Sequence, residues 1–263
     1  AAARVVVDTS ALRAGEIKLG LGSSAAATVA ALGAALVASG QAIDPPEVHA
    51  LAHRAHRAAQ ARLGAPGSGA DIAACIYGGA IAVRRGADAD ADAPLEARPL
   101  TLPPDLSLVA AWTGIAADTS TLVAQVRALR HRDRDAYERA TRRIGDAAEA
   151  VLGAFERRSA VSVVEAIAAS GDAIAELGRS AAVELESAVH RQLRWLAERR
   201  GGACKPTGAG AGDLALAAFD SEDAAAAFRL EVEAAGMHCP ALAVDPCGVE
   251  PSLVPPPGAK VRS

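Results

Sequence analysis

Short apolar blocks follow one another along the chain, and the spacing within each block predicts a helix or a strand. The first blocks predict a β-branched strand at 4–7, helices at 24–39 and 45–63, a further helical turn or two at 70–76, and a strand at 80–84. Glycine and proline mark the boundaries, since Gly40 can supply a left-handed helix stop and Pro45 a helix start. Helices therefore dominate this part of the chain.

The pattern breaks at residues 88–104, which are acidic, contain prolines and have no apolar period. We predict that they form a surface excursion and the boundary between two domains, 1–103 and 104–263. The blocks that follow predict a buried strand at 106–112, a helix at 121–130, alanine-rich helices near 133–158, 160–178 and 180–200, a loop at 201–212, a strand at 214–219, a helix at 221–235 and a strand at 241–245. Strands and helices mix without regular alternation, which indicates an α+β fold.

Composition narrows the classes of protein. Of the 263 residues 51% are hydrophobic, enough for the core of one large domain or two modest ones, and the net charge is only −4. A chain with this mild acidity and 3% aromatic residues has neither the basic stripe nor the stacking rings of a nucleic-acid surface. It also has no apolar run of the ~20 residues that a membrane span needs. Nothing argues for export, so cytoplasm is the predicted location.

Cysteine and histidine offer weak metal candidates. The four cysteines (Cys75, Cys204, Cys239 and Cys247) lack the paired spacing of a zinc site, and we interpret them as reduced thiols. His49, His53 and His56 share one face of the second predicted helix. Because no carboxylates accompany them, a solvated or substrate-facing helix edge is favoured over a metal site.

A glycine-serine loop precedes the first helix directly, in KLGLGSSAAATVAALGAAL from Lys18 to Leu36. A helix N-terminus has free amides and a partial positive charge, so a glycine loop there can cradle a phosphate. The hydroxyls of Ser23 and Ser24 could then reach a phosphate oxygen or Mg²⁺. The spacing is not that of a Walker loop, and a tight entry into a buried helix is the alternative interpretation. Lys18 is one of only three lysines among 27 basic residues, which suggests a task for a compact ammonium.

Two further stretches have related composition. GAPGSGADIAACIYGG, residues 64–79, contains the single carboxylate of Asp71, which either caps a helix or belongs to a site. KPTGAGAGDLALAAF, residues 205–219, is a second glycine-rich loop with a flanking lysine, Lys205. Each stretch alone has low specificity.

Together and in this order, the three stretches resemble the galactokinase, homoserine kinase, mevalonate kinase and phosphomevalonate kinase superfamily. LGLGSSAA is similar to its ATP phosphate loop and TGAGAGD to its C-terminal glycine motif. Asp71 precedes Gly78 and Gly79 by the spacing of the catalytic aspartate in mevalonate kinases. The resemblance extends from Lys18 to Val249. It implies a two-domain small-molecule kinase, with an S5-like ATP-binding domain at 1–103 and a ferredoxin-like domain at 104–263.

Finer residues resemble the phosphomevalonate kinases. The runs AHRAAQ, GSGAD, WTGIAADTSTLV and KPTGAGAGD are similar to theirs, and Gln60 stands where mevalonate kinases have a magnesium-binding glutamate. This resemblance implies that ATP, with Mg²⁺, phosphorylates 5-phosphomevalonate to 5-diphosphomevalonate, a small phosphorylated substrate. Mevalonate kinase or another kinase of the superfamily is one alternative, and an inactive nucleotide-binding remnant is another. A diphosphomevalonate decarboxylase fits the motifs less well.

The resemblance also implies a set of site residues. The nucleotide cradle would comprise Gly20, Leu21, Gly22, Ser23, Ser24 and Ala25. Lys18, Ser24 and Asp71 would be catalytic, with Ser24 and Asp71 holding the metal. Substrate contacts would come from Ser68, Gly69, Ser120, Lys205, Thr207, Gly208, Ala209 and Gly210. Because an acceptor phosphate is already ionised near neutral pH, Asp71 is expected to orient or bind metal rather than to abstract a proton.

The chain departs from the family at its start. Members begin with strands and a proline-glycine-lysine motif, and this sequence meets the pattern after them. The expectation is a fold without the first N-terminal strands, either as part of a longer protein or as a natural remnant. If the chain is a remnant, its sheet has lost strands and exposes an edge, which favours partnering or aggregation and makes an oligomer possible.

Overall fold

The computed structural model describes residues 4–14, 17–62, 67–86 and 93–250, with the backbone alone at Ala11, Ala14, Ile17 and Lys18. The chain forms two compact units. The first contains the described parts of residues 1–11, 22–99 and 244–263, and the second contains those of 12–21 and 100–243. The sequence analysis expected one boundary, at 103/104, whereas these units are made of interleaved segments.

The elements are as follows in chain order. A 3-10 turn at Ser10–Leu12 precedes β1 (Arg13–Ala14), β2 (Ile17–Lys18), α1 (Ser23–Ala38), α2 (Pro45–Ala61), α3 (Ala70–Tyr77), β3 (Ala80–Arg84) and β4 (Glu96–Leu100). Then come β5 (Ser107–Trp112), α4 (Thr119–Arg132), α5 (Arg134–Glu156), α6 (Ala160–Ala181), α7 (Ala188–Glu198), β6 (Ala203–Pro206), β7 (Leu214–Phe219) and α8 (Glu222–Ala234).

The first unit has its core among α1, α2 and α3. Small and β-branched side chains fill it, because alanines let the three helices approach closely. Its fully buried members are Ala25, Val29, Val48, Ala52, Ile72 and Ile76. Sequence signals set the helix ends: Asp44 caps α2 through the Glu47 amide, and Gly40 takes the left-handed conformation after α1. Strands β3 and β4 pair as a two-stranded sheet.

The second unit is built on a three-stranded antiparallel sheet in the order β5-β7-β6. Helices cover both of its faces. On one face Phe219 packs against Phe228 of α8, with ring centroids 5.2 Å apart, and Leu193 of α7 completes the core. On the other face Ala218 meets Val163 of α6. Strand β7, whose sequence is continuously apolar, is therefore buried on both sides.

The predicted α+β class is confirmed, with four local corrections. Residues 4–7 and 241–245 are not strands, because a β-branched run needs a partner strand as well as propensity. The expected surface excursion contains β4, and the expected loop at 201–212 contains β6. Both are short strands whose residues gain regular structure only through a neighbour, and β4 carries a proline that suits an edge.

Two further findings concern the whole described chain. Its helices all fall short of the combined length and apolarity that crossing a bilayer requires. The four cysteines are free thiols.

Candidate active site

The N-terminus of α1 is open. Its N-cap is Gly22, in the left-handed region at φ +69°, and no side chain caps the amides of the first turn. Helix α3 starts in the same way on Gly69, at φ +86°. Each of the other described α-helices has a side-chain cap: Asp44, Asp118, Asp133, Ser159, Ser187 or Ser221. The two glycine motifs thus produce the two helix starts that lack a side-chain N-cap. At α3 the Ala70 and Ile72 amides are hydrogen-bonded to Ser68 and Asp71, so the first amides of α1 are the ones left for a ligand.

Asp71 lies beside the open turn of α1. A Cβ built on Gly22 would come 3.5 Å from the Cβ of Asp71, an ordinary contact distance. The half-buried Asp71 carboxylate accepts a hydrogen bond from the Ile72 amide at 3.0 Å and does not occupy the N-cap position. The first unit therefore brings Gly22, Ser23, Ser24 and Asp71 together. The side chain of Ala25 is fully buried, so this residue can offer a ligand its amide only.

The histidine face of α2 is buried. His49, His53 and His56 are 4%, 2% and 5% exposed, so the expected solvated or substrate-facing edge is wrong. This face packs toward α1 and α3, and burial lowers the pKa of His49, with a smaller effect from His53. The described residues contain no cluster of three or more His, Cys, Asp or Glu side chains suited to a metal ion.

Each of these histidines supports a different part of the unit. His49 Nδ1 lies 3.4 Å from the Tyr77 hydroxyl at the end of α3. The His53 ring fills the space where Gly69 would carry a Cβ, at 2.5 Å, so position 69 requires glycine on two counts. His56 Nε2 lies 3.2 Å from Ser24 Oγ, at the open turn of α1.

Gln60 completes a short chain of polar atoms. Its side-chain nitrogen lies 3.3 Å from His56 Nε2, one helical turn away along α2. The sequence predicted a special position for Gln60 and only a shared helix face for His56. The spacing of the three histidines was the available signal, and the packing of α2 shows that their face is buried.

The segment before Gly22 belongs to the second unit. The Leu19 amide donates to the Leu12 carbonyl at 3.3 Å, and Gly20 is left-handed at φ +73°. A Cβ on Gly20 would approach the Cβ of Asp213 to 2.6 Å, so only glycine fits. Asp213, which ends the TGAGAGD motif, therefore lies against Gly20 within the second unit, a contact that the sequence did not predict. The Lys18 side chain lies outside the described atoms, and its role stays a prediction.

The second glycine loop, residues 207–213, is held by backbone bonds on two sides. Ala211 donates to the Leu185 carbonyl at 2.7 Å, and Asp213 donates to that of Ile115 at 2.7 Å. Ala211 and Asp213 are left-handed although they are not glycines. Such strain persists only where the surroundings enforce it, and it concentrates at functional sites.

The polar groups that were predicted to bind substrate have internal partners. Lys205 Nζ donates to the Pro206 carbonyl at 3.0 Å, and burial lowers its pKa. The Thr207 hydroxyl donates to the Leu214 carbonyl at 2.7 Å. Ser68 Oγ accepts from the Ala70 amide at 3.3 Å. In the same loop as Thr207, Gly208 and Gly210 are left-handed, and Ala209 lies between them.

Ser120 lies at a helix start that is already occupied. Its hydroxyl donates to Asp118 at 2.7 Å, and the same carboxylate accepts from the Thr121 hydroxyl and amide. These hydrogen bonds, with that of the Thr121 side chain first, lower the pKa of Asp118 to about 2. A carboxylate therefore takes the place at the start of α4 where an anion would bind.

Comparison with known proteins shows which class of protein the chain resembles. Residues 7–79 match the family described as the GHMP kinases N terminal domain. A Listeria innocua protein, Lin0012, has the same fold with a TM-score of 0.78 at 28% identity, over 89% of this chain and 69% of that one. Streptococcus pneumoniae phosphomevalonate kinase, solved with phosphomevalonate and AMPPNP, gives 0.70 at 16% identity, over 87% and 70%. The region 7–79 is thus similar to a GHMP kinase N-terminal domain, and the chain shares the fold of the solved phosphomevalonate kinase.

The resemblance to phosphomevalonate kinases is also confirmed. The chain is 32% identical over 221 residues to the phosphomevalonate kinase of Streptomyces sp. (strain CL190), a match that covers 78% of this chain. It spans 58% of the length of that relative.

Proposed function

We propose that this protein is an ATP-dependent kinase that transfers the γ-phosphoryl group of ATP to the phosphate of 5-phosphomevalonate, giving 5-diphosphomevalonate and ADP. The observation that carries the proposal is the open N-terminus of α1 with the Asp71 carboxylate beside it. Identity of 32% to a phosphomevalonate kinase supports the choice of acceptor.

The nucleotide would bind through the first turn of α1. The amides of Ser23, Ser24 and Ala25 point toward the N-terminal side of the helix, where the helix dipole adds a partial positive charge. The left-handed Gly22 leaves room for a polyphosphate to approach the backbone. This geometry binds an anion without any arginine or lysine in the turn itself.

The donors in the first unit fit Mg²⁺. Ser24 offers a hydroxyl and Asp71 a carboxylate, both hard oxygen ligands of the kind that magnesium takes in small number together with substrate phosphates. When bound, the cation would neutralise charge on the β- and γ-phosphates. Ser24 and Asp71 would hold it, and the amides of α1 would orient the polyphosphate.

The acceptor needs little proton chemistry. The second pKa of a phosphate monoester is about 6, so at neutral pH its oxygen is already a nucleophile. Asp71 is therefore proposed to orient and to bind metal. Lys18 and Lys205 are proposed to neutralise phosphate charge, and the lowered pKa of Lys205 reflects a buried ammonium that an anion would stabilise.

Two residues that were predicted to contact the substrate are given different roles in this proposal. Ser120 is left out of the proposed site, because Asp118 already occupies that helix start. Thr207 would contribute to a substrate contact only as an acceptor, since its hydroxyl donates its hydrogen bond to the Leu214 carbonyl. Gly208, Ala209 and Gly210 are retained for their backbone, and Ser68 and Gly69 for the open start of α3.

The proposal is tested by measuring ADP release with 5-phosphomevalonate and with mevalonate side by side. We expect turnover with the phosphorylated acceptor and at least 100-fold lower kcat/KM with mevalonate, because a site built for an anionic acceptor leaves its charges unpaired with an alcohol. Preference for mevalonate would reassign the protein as a mevalonate kinase. Nucleotide binding without turnover of either acceptor would favour a nonenzymatic remnant.

A further inference from the structure

We propose that His56, held by Gln60, is a positioning residue that turns the Ser24 hydroxyl into a cation ligand and prevents it from acting as a phosphate donor. The inference rests on the proposed function, because it concerns the metal that accompanies ATP. Its basis is the chain of atoms from Gln60 Nε2 through His56 Nε2 to Ser24 Oγ, with steps of 3.3 and 3.2 Å.

The direction of these hydrogen bonds follows from the donor inventory. A glutamine side-chain nitrogen can only donate. His56 Nε2 must therefore accept from Gln60, which puts the ring proton on Nδ1. The Ser24 hydroxyl faces the same accepting nitrogen, shares its single lone pair with Gln60, and donates its proton to it.

This arrangement decides what Ser24 can bind. With its proton directed at His56, the Ser24 oxygen presents only lone pairs on its other side. Lone pairs bind a cation or accept a hydrogen bond, whereas a phosphate oxygen needs a donor. The loop residues alone left both roles open for Ser24, the family resemblance implied the metal, and the geometry also points to the cation.

The hydrogen bond from Ser24 to His56 joins an exposed side chain to a buried one. His56 is 5% exposed, while Ser24 is exposed at the start of α1. The imidazole thus stands on the protein side of the hydroxyl, where a hydrogen bond is stronger than in water. Gln60 contributes no charge and acts on the imidazole of His56.

A purely structural role for His56 is the competing explanation, and a matched control separates the two. His49 lies on the same face of α2 and is equally buried at 4%, but it contacts Tyr77 rather than Ser24. His49→Phe and His56→Phe should therefore disturb packing alike. Only His56→Phe removes the acceptor from Ser24.

The experiment measures binding of the ATP analogue AMPPNP by calorimetry over a series of Mg²⁺ concentrations and in EDTA. His56→Phe should raise the half-saturating Mg²⁺ about tenfold, as loss of an outer partner of a metal ligand does, and leave AMPPNP affinity in EDTA unchanged. His56→Gln, whose amide oxygen can accept from Ser24, should restore most of the Mg²⁺ response. His49→Phe should leave it at the parent value.

A double-mutant cycle makes the inference specific to Ser24. In a Ser24→Ala background, His56→Phe should change the half-saturating Mg²⁺ by less than about twofold, because the group through which it acts is gone. The inference is overturned if His56→Phe raises the half-saturating Mg²⁺ equally in both backgrounds, or if His49→Phe raises it as much as His56→Phe does. Either result leaves the proposed function standing. Absence of any Mg²⁺-dependent AMPPNP binding in the parent protein overturns both. Thermal unfolding without ligands checks that each variant folds.

Discussion

Two glycine-rich turns of similar composition have different physical tasks. The turn at residues 22–25 opens a helix, and no side chain caps its first amides. The turn at 207–213 precedes strand β7, and its backbone is bound to Leu185 on one side and Ile115 on the other. Glycine in the first turn leaves the helix amides without a side-chain cap, whereas in the second it lets two pieces of backbone approach each other.

The space around each glycine makes the contrast quantitative. A Cβ on Gly22 would make an ordinary contact, at 3.5 Å from Asp71. A Cβ on Gly210 would lie 2.4 Å from the Leu185 carbonyl oxygen, and one on Gly212 would lie 2.7 Å from that of Ile115. Substitutions in the first turn should therefore affect ligand binding, and those in the second should affect folding.

Gly210→Ala should have the largest effect on stability. Position 210 combines a left-handed φ of +82° with the clash against Leu185, and together these should lower the free energy of unfolding by about 3 kcal/mol. Urea unfolding followed by circular dichroism measures it. A loss below 1 kcal/mol would mean that the loop relaxes freely, and the contrast between the two turns would then fail.

Ser24→Ala should show the opposite profile. Ser24 is exposed and does not cap α1, so its loss should leave the free energy of unfolding within about 0.5 kcal/mol of the parent value. Its kcat should fall about 100-fold, since a group that stabilises charge in the transition state is removed. Steady-state ADP release and urea unfolding on the same preparation give both numbers. Near-normal kcat would show that the first turn is structural as well.

Local signals in the sequence were sufficient to predict most helices and strands around the two glycine-rich turns. The strands at 80–84 and 214–219 and the helix that starts near Ser24 were predicted within a residue, because apolar period and flanking glycines are local. Strands β4 and β6 were missed, since each takes its regular structure from pairing with a neighbouring strand, β3 and β7 respectively. The order of motifs also predicted that Gly22, Ser24 and Asp71 belong together.

The burial of the histidine face and the contact of Asp213 with Gly20 depend on packing that the sequence does not encode locally. The spacing of His49, His53 and His56 showed that they share a face, but only the packing of α2 toward α1 and α3 decides that the face is buried. Asp213 contacts Gly20 through a fold in which residues almost two hundred positions apart become neighbours. Its left-handed φ of +54° is likewise imposed by its surroundings.

Lys205→Met tests whether the second turn also contributes a ligand contact. Removal of a phosphate-neutralising ammonium should raise KM for 5-phosphomevalonate about tenfold with little change in KM for ATP. The same change should increase thermal stability, because burial makes the charged form of Lys205 costly. Unchanged KM would remove Lys205 from the site and leave the second turn entirely structural.

The pH dependence of stability gives an independent check on Lys205. Burial lowers its pKa in the folded protein below the ordinary 10.5, so in the window between the two values the unfolded chain binds more protons than the folded one. The free energy of unfolding should therefore rise with pH in that window, relative to Lys205→Met. Below the lowered pKa both states are protonated and the cost of burying the charge is fully present.

Gly208→Ala should have the smallest effect and serves as the control for Gly210→Ala. Gly208 is left-handed at φ +56°, but nothing lies within 4 Å of the Cβ it would carry. Only the backbone preference is lost, so the free energy of unfolding should fall by about 1 kcal/mol, one third of the loss at position 210. Urea unfolding of both variants under identical conditions measures the ratio. Equal losses would mean that backbone strain alone accounts for the glycines of this turn, and that close approach to Leu185 does not.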